Sequence, residues 1–441
     1  MNSRLKADVD YLAELNTSQL NAASYGIENN GLCGPLLIIA GAGTGKTTTL
    51  AHRYAHLIIN GISPDRIMLL TFTRRAAAEM SRRAEQIVTH AIKSNGSTDK
   101  IAALGSWTGT FHSIANRILR EYHQNLDLDS SFSVIDKADA ADLLDLERHA
   151  LGLQTKEKRF PQKTTCLEIY SRTVNAQRPL AEALELWFPH YQDCEDELNL
   201  LFGRYVDRKL ELQTLDYDDL LLYWSYLLED EHMARIISDE FDHMMVDEYQ
   251  DTNKLQAAIL KRLRPSGTGV TVVGDDAQSI YSFRSADVEN ILEFPSLYDP
   301  PAEIIKLEEN YRSTQGILDA ANALMGESEL AYQKELVSVR GNGVKPTIVT
   351  VEDEKDEAVY IVDQVLECRE EGVRLQEQAV LFRNGHHAKR LEIELGVRNI
   401  PFVKYGGLKF VETAHVKDFI AILSWAENPK NKIAAFRVLQ L

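Results

Sequence analysis

The chain has few cysteines, no apolar leader-like segment and no long hydrophobic run. Its four cysteines, Cys33, Cys166, Cys194 and Cys368, are scattered and form no C-x-x-C pair, so neither a zinc site nor a disulfide framework is expected. Residues 1–8 are charged, which argues against a secretory signal, and the longest apolar stretches are too short to cross a bilayer. These absences predict a cytoplasmic protein with reduced thiols.

The chain also lacks an excess of basic residues. Lys and Arg total 48 against 66 Asp and Glu, which leaves a formal net charge of −18. This balance argues against nucleic-acid binding unless basic side chains are concentrated along one groove, because phosphate binding depends on local charge. With 441 residues, 44% hydrophobic and 26% charged, the chain is expected to form about two to four globular domains.

Strand-like apolar runs alternate with helical patterns along most of the chain, which predicts an α/β fold with a parallel sheet. Residues 36–40 form an uninterrupted apolar run, as expected of a buried parallel strand. Residues 67–72 predict the next strand and 75–89 a helix. Further strands are predicted at 244–246, 270–273, 304–307, 347–351 and 379–382. The stretch 96–209 is rich in helical pattern and is predicted to be an insertion.

A glycine-rich loop follows the first predicted strand. It matches the P-loop pattern except that Ala40 takes the place of the first glycine. Small residues allow backbone N–H groups to approach phosphate oxygens, Lys46 would reach the β- and γ-phosphates, and the Thr47 hydroxyl would bind Mg²⁺. The alternative is a plain turn before a helix, which the strand–loop–helix context disfavours. The predicted nucleotide-binding residues of this loop are Ala40, Gly41, Ala42, Gly43, Thr44, Gly45, Lys46, Thr47 and Thr48.

Two carboxylates end the strand predicted at 244–246. Neighbouring residues of a strand face opposite sides, so Asp247 and Glu248 should have different roles. We assign Asp247 to Mg²⁺ and Glu248 to polarising the attacking water in phosphoryl transfer. Acids are common at strand ends, so this interpretation depends on the P-loop.

Seven segments carry a more specific signal, and they occur in a fixed order. They are residues 15–22, 70–80, 109–113, 215–220, 247–253, 273–284 and 310–313. Together they resemble the Q motif, motif Ia, further signatures, and motifs II, III and IV of UvrD/Rep/PcrA-like superfamily 1 DNA helicases. The resemblance touches nearly the whole chain.

The resemblance implies roles around a bound nucleotide. Gln19 would read the adenine edge, and Tyr311 would stack on the adenine. Arg312 would approach the γ-phosphate as a transition-state cation, and Gln278 would sense that phosphate. Thr48 stands where an arginine is common in the family.

It also implies a single-stranded DNA site. Phe72, Tyr281 and Phe283 would stack on successive bases. The residues expected to touch the DNA backbone are Thr71, Thr110 and His112. Without the resemblance, the aromatic residues would more readily be assigned to the core and His112 to a structural role.

The resemblance thus implies a P-loop, RecA-like α/β fold that uses ATP and Mg²⁺ to move along single-stranded DNA and unwind junctions, 3′ to 5′. The expected division is a first RecA-like domain (1–95 and 210–300), the helical insertion (96–209), a partial second RecA-like domain (301–410) and the start of a second insertion (411–441). We expect a fragment that ends before motifs V and VI and hydrolyses ATP weakly. The alternatives are a P-loop switch and a non-catalytic nucleic-acid-binding module. Partners among repair or replication proteins stay open.

Overall fold

The computed structural model describes residues 10–27, 33–92, 107–153, 160–328, 332–405, 414–428 and 431–439. The chain divides into two compact units, Met1–Lys345 and Pro346–Leu441, each with its own hydrophobic core. The boundaries predicted near 95 and 410 lie in segments 93–106 and 406–413, outside the described residues. The boundary predicted at 300 falls within the first unit, and the four-part division stays a prediction.

The first unit contains every strand of the described residues. They are β1 Leu36–Ala40, β2 Ile67–Thr71, β3 Thr108–Thr110, β4 Ser133–Val134, β5 Thr214–Leu215, β6 His243–Val246, β7 Val270–Gly274, β8 Glu303–Leu307, β9 Glu309–Asn310 and β10 Val337–Ser338. Six of them form one parallel sheet in the order β3-β2-β6-β7-β1-β8. The predicted α/β fold with a parallel sheet is confirmed, as are its strands β1, β2, β6, β7 and β8.

Helices cover both faces of this sheet. In the first unit they are α1 Thr17–Ser24, α2 Lys46–Ile59, α3 Arg74–Ile92, α4 Phe111–Glu121, α5 Lys137–Ala150, α6 Lys163–Ala176, α7 Leu180–Trp187, α8 Glu195–Glu211, α9 Tyr217–Leu227, α10 Glu231–Asp239, α11 Lys254–Leu263, α12 Glu289–Glu293 and α13 Gln315–Gly326. Side chains alternate along β1, so Leu36 and Ile38 join a core with α2 and α3, while Leu37 and Ile39 join the core that contains Trp224 of α9. Burial on both faces explains the uninterrupted apolar run of β1.

Two strands, β3 and β4, lie where the sequence predicts only a helical insertion. β3 pairs with β2 as an edge strand of the main sheet, so the stretch 96–209 is not wholly an insertion. Its sequence, Thr108-Gly109-Thr110, is short and carries no apolar alternation, which is why the pattern did not reveal it. Helices α5 to α8 do form the helix-rich part of this stretch.

Among its described residues, the second unit has helices and no strands. They are α14 Glu354–Glu370, α15 Ala388–Val397, α16 Ala414–Glu427 and α17 Lys432–Leu439. The strands predicted at 347–351 and 379–382 are wrong: neither segment pairs with a described strand, and Ile348 and Leu381 are 95% and 94% exposed. An apolar run becomes a strand only where a neighbouring strand completes its hydrogen bonds. No described helix combines the length and apolar character needed to cross a membrane.

A buried ionic network joins α8 to α9 in the first unit. The Lys209 Nζ lies 2.7 Å from Asp216 Oδ2 and 2.6 Å from Asp219 Oδ2, and Tyr205 donates to Asp216 at 2.7 Å. All four side chains are buried. Burial raises the pKa of the Asp219 carboxyl, the nearby Asp216 raises it further, and Lys209 opposes both. The lysine therefore offsets part of the cost of burying two carboxylates side by side.

Replacing Lys209 with methionine should lower the free energy of unfolding by about 3–5 kcal/mol at neutral pH, because two buried carboxylates lose their cation. Lys163→Met is the matched control. That lysine is 40% exposed and pairs with Asp142 at 2.6 Å, so its loss should cost less than about 1 kcal/mol. Urea unfolding followed by circular dichroism measures both. Equal losses for the two variants would contradict the assignment.

Candidate functional site

The loop between β1 and α2 forms a cradle of backbone amides. Gly43 and Gly45 have φ values of +87° and +86°, in the left-handed region that favours glycine. The Thr44 hydroxyl donates to the Gly41 carbonyl at 2.9 Å, which closes the turn. Helix α2 begins at Lys46, so its unpaired N–H groups and its dipole point into the loop. This arrangement suits a phosphate group.

The carboxylates predicted to act with the loop lie beside it. The Lys46 Nζ is 2.8 Å from Glu248 Oε2, and Gln250 Nε2 donates to the same oxygen at 2.8 Å. Glu248 has a φ of +50°, a left-handed conformation that is unusual for glutamate. Burial, with a contribution from Glu248, raises the pKa of Asp247 to about 6. A cation beside Asp247 would keep that carboxylate charged.

Asp247 and Thr47 are the residues that the sequence predicts to hold Mg²⁺, and this assignment stays a prediction. One carboxylate and one hydroxyl leave the remaining positions of an octahedral ion to phosphate oxygens and water, which is a usual arrangement for Mg²⁺ with a nucleotide. In the described ranges, no group of three or more His, Cys, Asp and Glu side chains could hold a metal by itself. A cation at this site would therefore depend on the nucleotide for ligands.

The end of β7 brings a further polar cluster to the same edge of the sheet. Gln278 Nε2 donates to Asp275 Oδ2 at 2.5 Å. Lys334 pairs with Asp275 and with Asp276, and all three side chains are at least 94% buried. Lys334 is distant in the sequence from these two aspartates, and no sequence motif indicated that it belongs to the site. The cluster holds Gln278 next to the loop that carries Tyr281.

Gln19 and Tyr311 lie on either side of a shared neighbour, Asn16. Gln19 forms a capping box with Asn16 at the start of α1, and its Nε2 donates to the Thr44 carbonyl at 2.9 Å. Asn16 Nδ2 donates to the Tyr311 hydroxyl at 2.9 Å. Both polar atoms of Gln19 thus contact protein here, and its predicted role in reading adenine stays a prediction. Thr48 is half-buried and accepts from Arg83 of α3 at 3.4 Å.

Asn310 contacts the phosphate loop through its side chain, a role that the sequence did not reveal. Its Nδ2 donates to the Ala42 carbonyl at 2.6 Å, and its Oδ1 accepts from the Arg312 amide at 3.0 Å. The Tyr311 amide donates to the Gly43 carbonyl at 2.9 Å. A Cβ on Gly43 would lie 2.5 Å from the Arg312 Cβ, so only glycine allows this close approach. Arg312 itself is exposed beside the loop.

Three predicted DNA-stacking residues meet on one surface. The rings of Phe72 and Tyr281 are 4.9 Å apart at an interplanar angle of 35°, and those of Tyr281 and Phe283 are 5.8 Å apart at 46°. Phe283 is 65% exposed, which argues against the core role. We call the rings of Phe72, Tyr281 and Phe283 the aromatic ladder. Arg284 lies over both Tyr281 and Phe283, so a cation lies beside this ladder. Such a surface suits stacked bases with a phosphate backbone alongside.

The other predicted DNA contacts have structural partners. Thr71 is buried and donates to the Thr73 carbonyl at 3.0 Å, and Thr110 caps helix α4. The His112 ring packs edge-on against Tyr217 at 5.9 Å, and burial lowers the pKa of His112 to about 4. These three residues lie near the ends of β2 and β3, and their contacts with DNA stay predictions.

Comparison with known proteins identifies the family. A model of the UvrD/REP helicase N-terminal domain matches residues 15–299, and a model of the UvrD-like helicase C-terminal domain matches residues 305–441. The chain belongs to the UvrD/Rep helicase family. The C-terminal match does not support the prediction that the chain is truncated before motifs V and VI, and the weak hydrolysis expected from that truncation loses its basis.

Curated UvrD/Rep relatives agree with this assignment. The chain is 34% identical over 441 residues to DNA helicase II of Escherichia coli (strain K12), covering 97% of this chain and 56% of the relative. It is 36% identical over 414 residues to DNA helicase II of Haemophilus influenzae, with coverages of 91% and 54%. It is 35% identical over 413 residues to the ATP-dependent DNA helicase PcrA of Leuconostoc citreum, with coverages of 92% and 52%. The chain spans about half the length of these relatives.

Asn310→Ala should weaken ATP binding about tenfold, because the loop carbonyl at Ala42 and the Arg312 amide lose their shared partner. Titration with a fluorescent ATP analogue measures the affinity. Asn175→Ala is the control: this buried asparagine bonds Asp218 and Asn253, away from the phosphate loop, and its removal should leave nucleotide affinity unchanged. Equal weakening in both variants would show that the effect is a general loss of stability.

Proposed function

We propose that this UvrD/Rep family protein hydrolyses ATP to move along single-stranded DNA and to unwind duplex junctions. The observation that carries the proposal is the segment 275–284. Its first part holds Gln278 on Asp275 next to the phosphate loop, and its second part presents Tyr281 and Phe283 on the aromatic surface. Only two residues, Ser279 and Ile280, lie between Gln278 on the nucleotide side and Tyr281 on the DNA side. A movement of Gln278 would therefore shift the position of Tyr281.

Each residue of the phosphate site has a defined task in this proposal. Lys46 exchanges its Glu248 partner for the β- and γ-phosphates when ATP binds. Glu248, released from the lysine, orients and polarises the attacking water. Arg312 is exposed near Gly43 and would meet the charge that develops on the γ-phosphate.

Mg²⁺ held by Thr47 and Asp247 would neutralise charge on the phosphate oxygens. Gln19 and Tyr311 would bind the adenine, and both contact Asn16. A 3′-to-5′ direction rests on family resemblance alone. The relatives named DNA helicase II and ATP-dependent DNA helicase PcrA support the same class of activity.

The ATPase rate of the chain, measured with and without a single-stranded oligonucleotide, tests the proposal directly. We expect hydrolysis that DNA stimulates, and a loss of about 10²-fold or more in Glu248→Gln, because the attacking water loses its base. The variant should still bind ATP, since Lys46 and the loop amides are intact. Turnover that is unchanged in Glu248→Gln would contradict the assignment of this carboxylate.

A second measurement separates the proposal from a P-loop switch that does not act on DNA. Tyr281→Ala and Phe283→Ala should each weaken binding of an oligo-dT strand by about 1–3 kcal/mol, because each removes a stacking surface. Tyr226→Ala is the control, since this tyrosine is 49% exposed on α9 and lies outside the aromatic ladder. Fluorescence anisotropy measures the affinities. If the ladder variants bind DNA as the control does, the switch is the better hypothesis.

A further inference from the structure

Gln250 is a buried residue whose side chain links two parts of the phosphate site. It lies in the short turn Tyr249–Asp251 after β6 and is 1% exposed. Its Nε2 donates to Glu248 Oε2 at 2.8 Å, and its Oε1 accepts from the Asp275 amide at 2.9 Å. Each end of the carboxamide therefore has one partner. The backbone donor at Asp275 determines which end faces Glu248.

The end of β7 has room for this side chain because residue 274 is glycine. A Cβ at Gly274 would lie 2.6 Å from Gln250 Oε1 and 2.7 Å from Ile291 Cδ1. The same segment is tied to Gln250 a second time, since the Ser279 hydroxyl donates to the Gln250 carbonyl at 3.3 Å. Close backbone approach at a strand end is a common reason for glycine there.

Glu248 has two donors in this structure, Lys46 and Gln250, both on Oε2. In the proposed reaction Lys46 leaves for the phosphates, and Gln250 is then the donor that stays. The Gln250 partner on the other side, Asp275, binds Gln278 Nε2 through its own carboxylate. A continuous set of hydrogen bonds therefore runs from Glu248 to Gln278.

We propose that Gln250 is a positioning residue that keeps the Glu248 carboxylate aligned with the segment 275–284, so that hydrolysis responds to the state of that segment. The inference rests on the proposed function, since it assumes that Glu248 acts on the attacking water. It assigns Gln250 no contact with the reacting atoms. A displacement of a catalytic group by about 1 Å can lower the reaction rate about 10²-fold. A residue that only positions Glu248 can therefore have a large effect on the rate.

A double-mutant cycle on the full chain tests this inference. Gln250→Leu, Glu248→Gln and the double variant are compared in single-turnover ATP hydrolysis with saturating oligo-dT. We expect Gln250→Leu to lower the rate about ten- to a hundredfold with an ATP KM changed by less than about threefold. In the Glu248→Gln background the same substitution should change the rate by less than about threefold, because its target is gone.

Asn290→Leu controls for the loss of a buried carboxamide. Asn290 is 4% exposed on α12, and the described hydrogen bonds of its side chain go to Thr252, whose carbonyl it meets at 2.9 Å, and not to Glu248. It should lower the melting temperature as Gln250→Leu does but leave the hydrolysis rate unchanged. If Gln250→Leu does not fold, Gln250→Met replaces it, because this flexible apolar side chain adapts to the site and also removes the donor to Glu248.

The outcomes separate the two hypotheses. If the chain does not hydrolyse ATP, or if Glu248→Gln does not slow hydrolysis, the proposed function is wrong and the inference is wrong with it. If Glu248→Gln slows hydrolysis but Gln250→Leu does not, or if their effects multiply in the double variant, only the inference is overturned. A rate loss in Asn290→Leu as large as that in Gln250→Leu would overturn it as well.

Discussion

The parallel direction of β1, β2, β6 and β7 determines where the phosphate loop, the two carboxylates and the aromatic surface lie. Because the carboxyl ends of parallel strands emerge at one edge of the sheet, the loops that follow these strands meet there. The loop after β1 supplies the phosphate cradle, β6 ends in two carboxylates, β7 leads to segment 275–284, and Phe72 follows β2. A nucleotide site and an aromatic surface thus share one edge, although their residues are scattered over more than 200 positions.

Charge compensation is the second constraint on this edge. Lys46 is buried and pairs with Glu248, which is 33% exposed. Lys334 pairs with Asp275 and Asp276, and these three side chains are all buried. An unpaired buried charge costs several kcal/mol, so buried carboxylates and lysines stabilise the fold only as pairs. In the proposed reaction Lys46 leaves Glu248 for phosphate, whereas the Lys334 pairs join two segments of the fold. The net charge of −18 therefore says little about how this edge binds anions.

Part of the site could be predicted because its chemistry is local. The P-loop occupies consecutive residues, and Asp247 with Glu248 follows an apolar run, so residue order is enough. The aromatic ladder depended on the resemblance, since Tyr281 and Phe283 could otherwise be core residues. Gln250, Asn310 and Lys334 were missed because each acts through a partner distant in the sequence, such as the Ala42 carbonyl or the Asp275 amide.

The sequence by itself determined the α/β class, the positions of the main strands along the chain and the identity of the phosphate loop, because apolar periodicity and short motifs depend on neighbouring residues. It could not determine that Thr108–Thr110 joins the sheet, or that the apolar segments 347–351 and 379–382 form no strands in the described part of the chain. Whether a segment pairs depends on which backbone donors and acceptors lie beside it. Tertiary structure alone decides that, since the partner can come from any part of the chain.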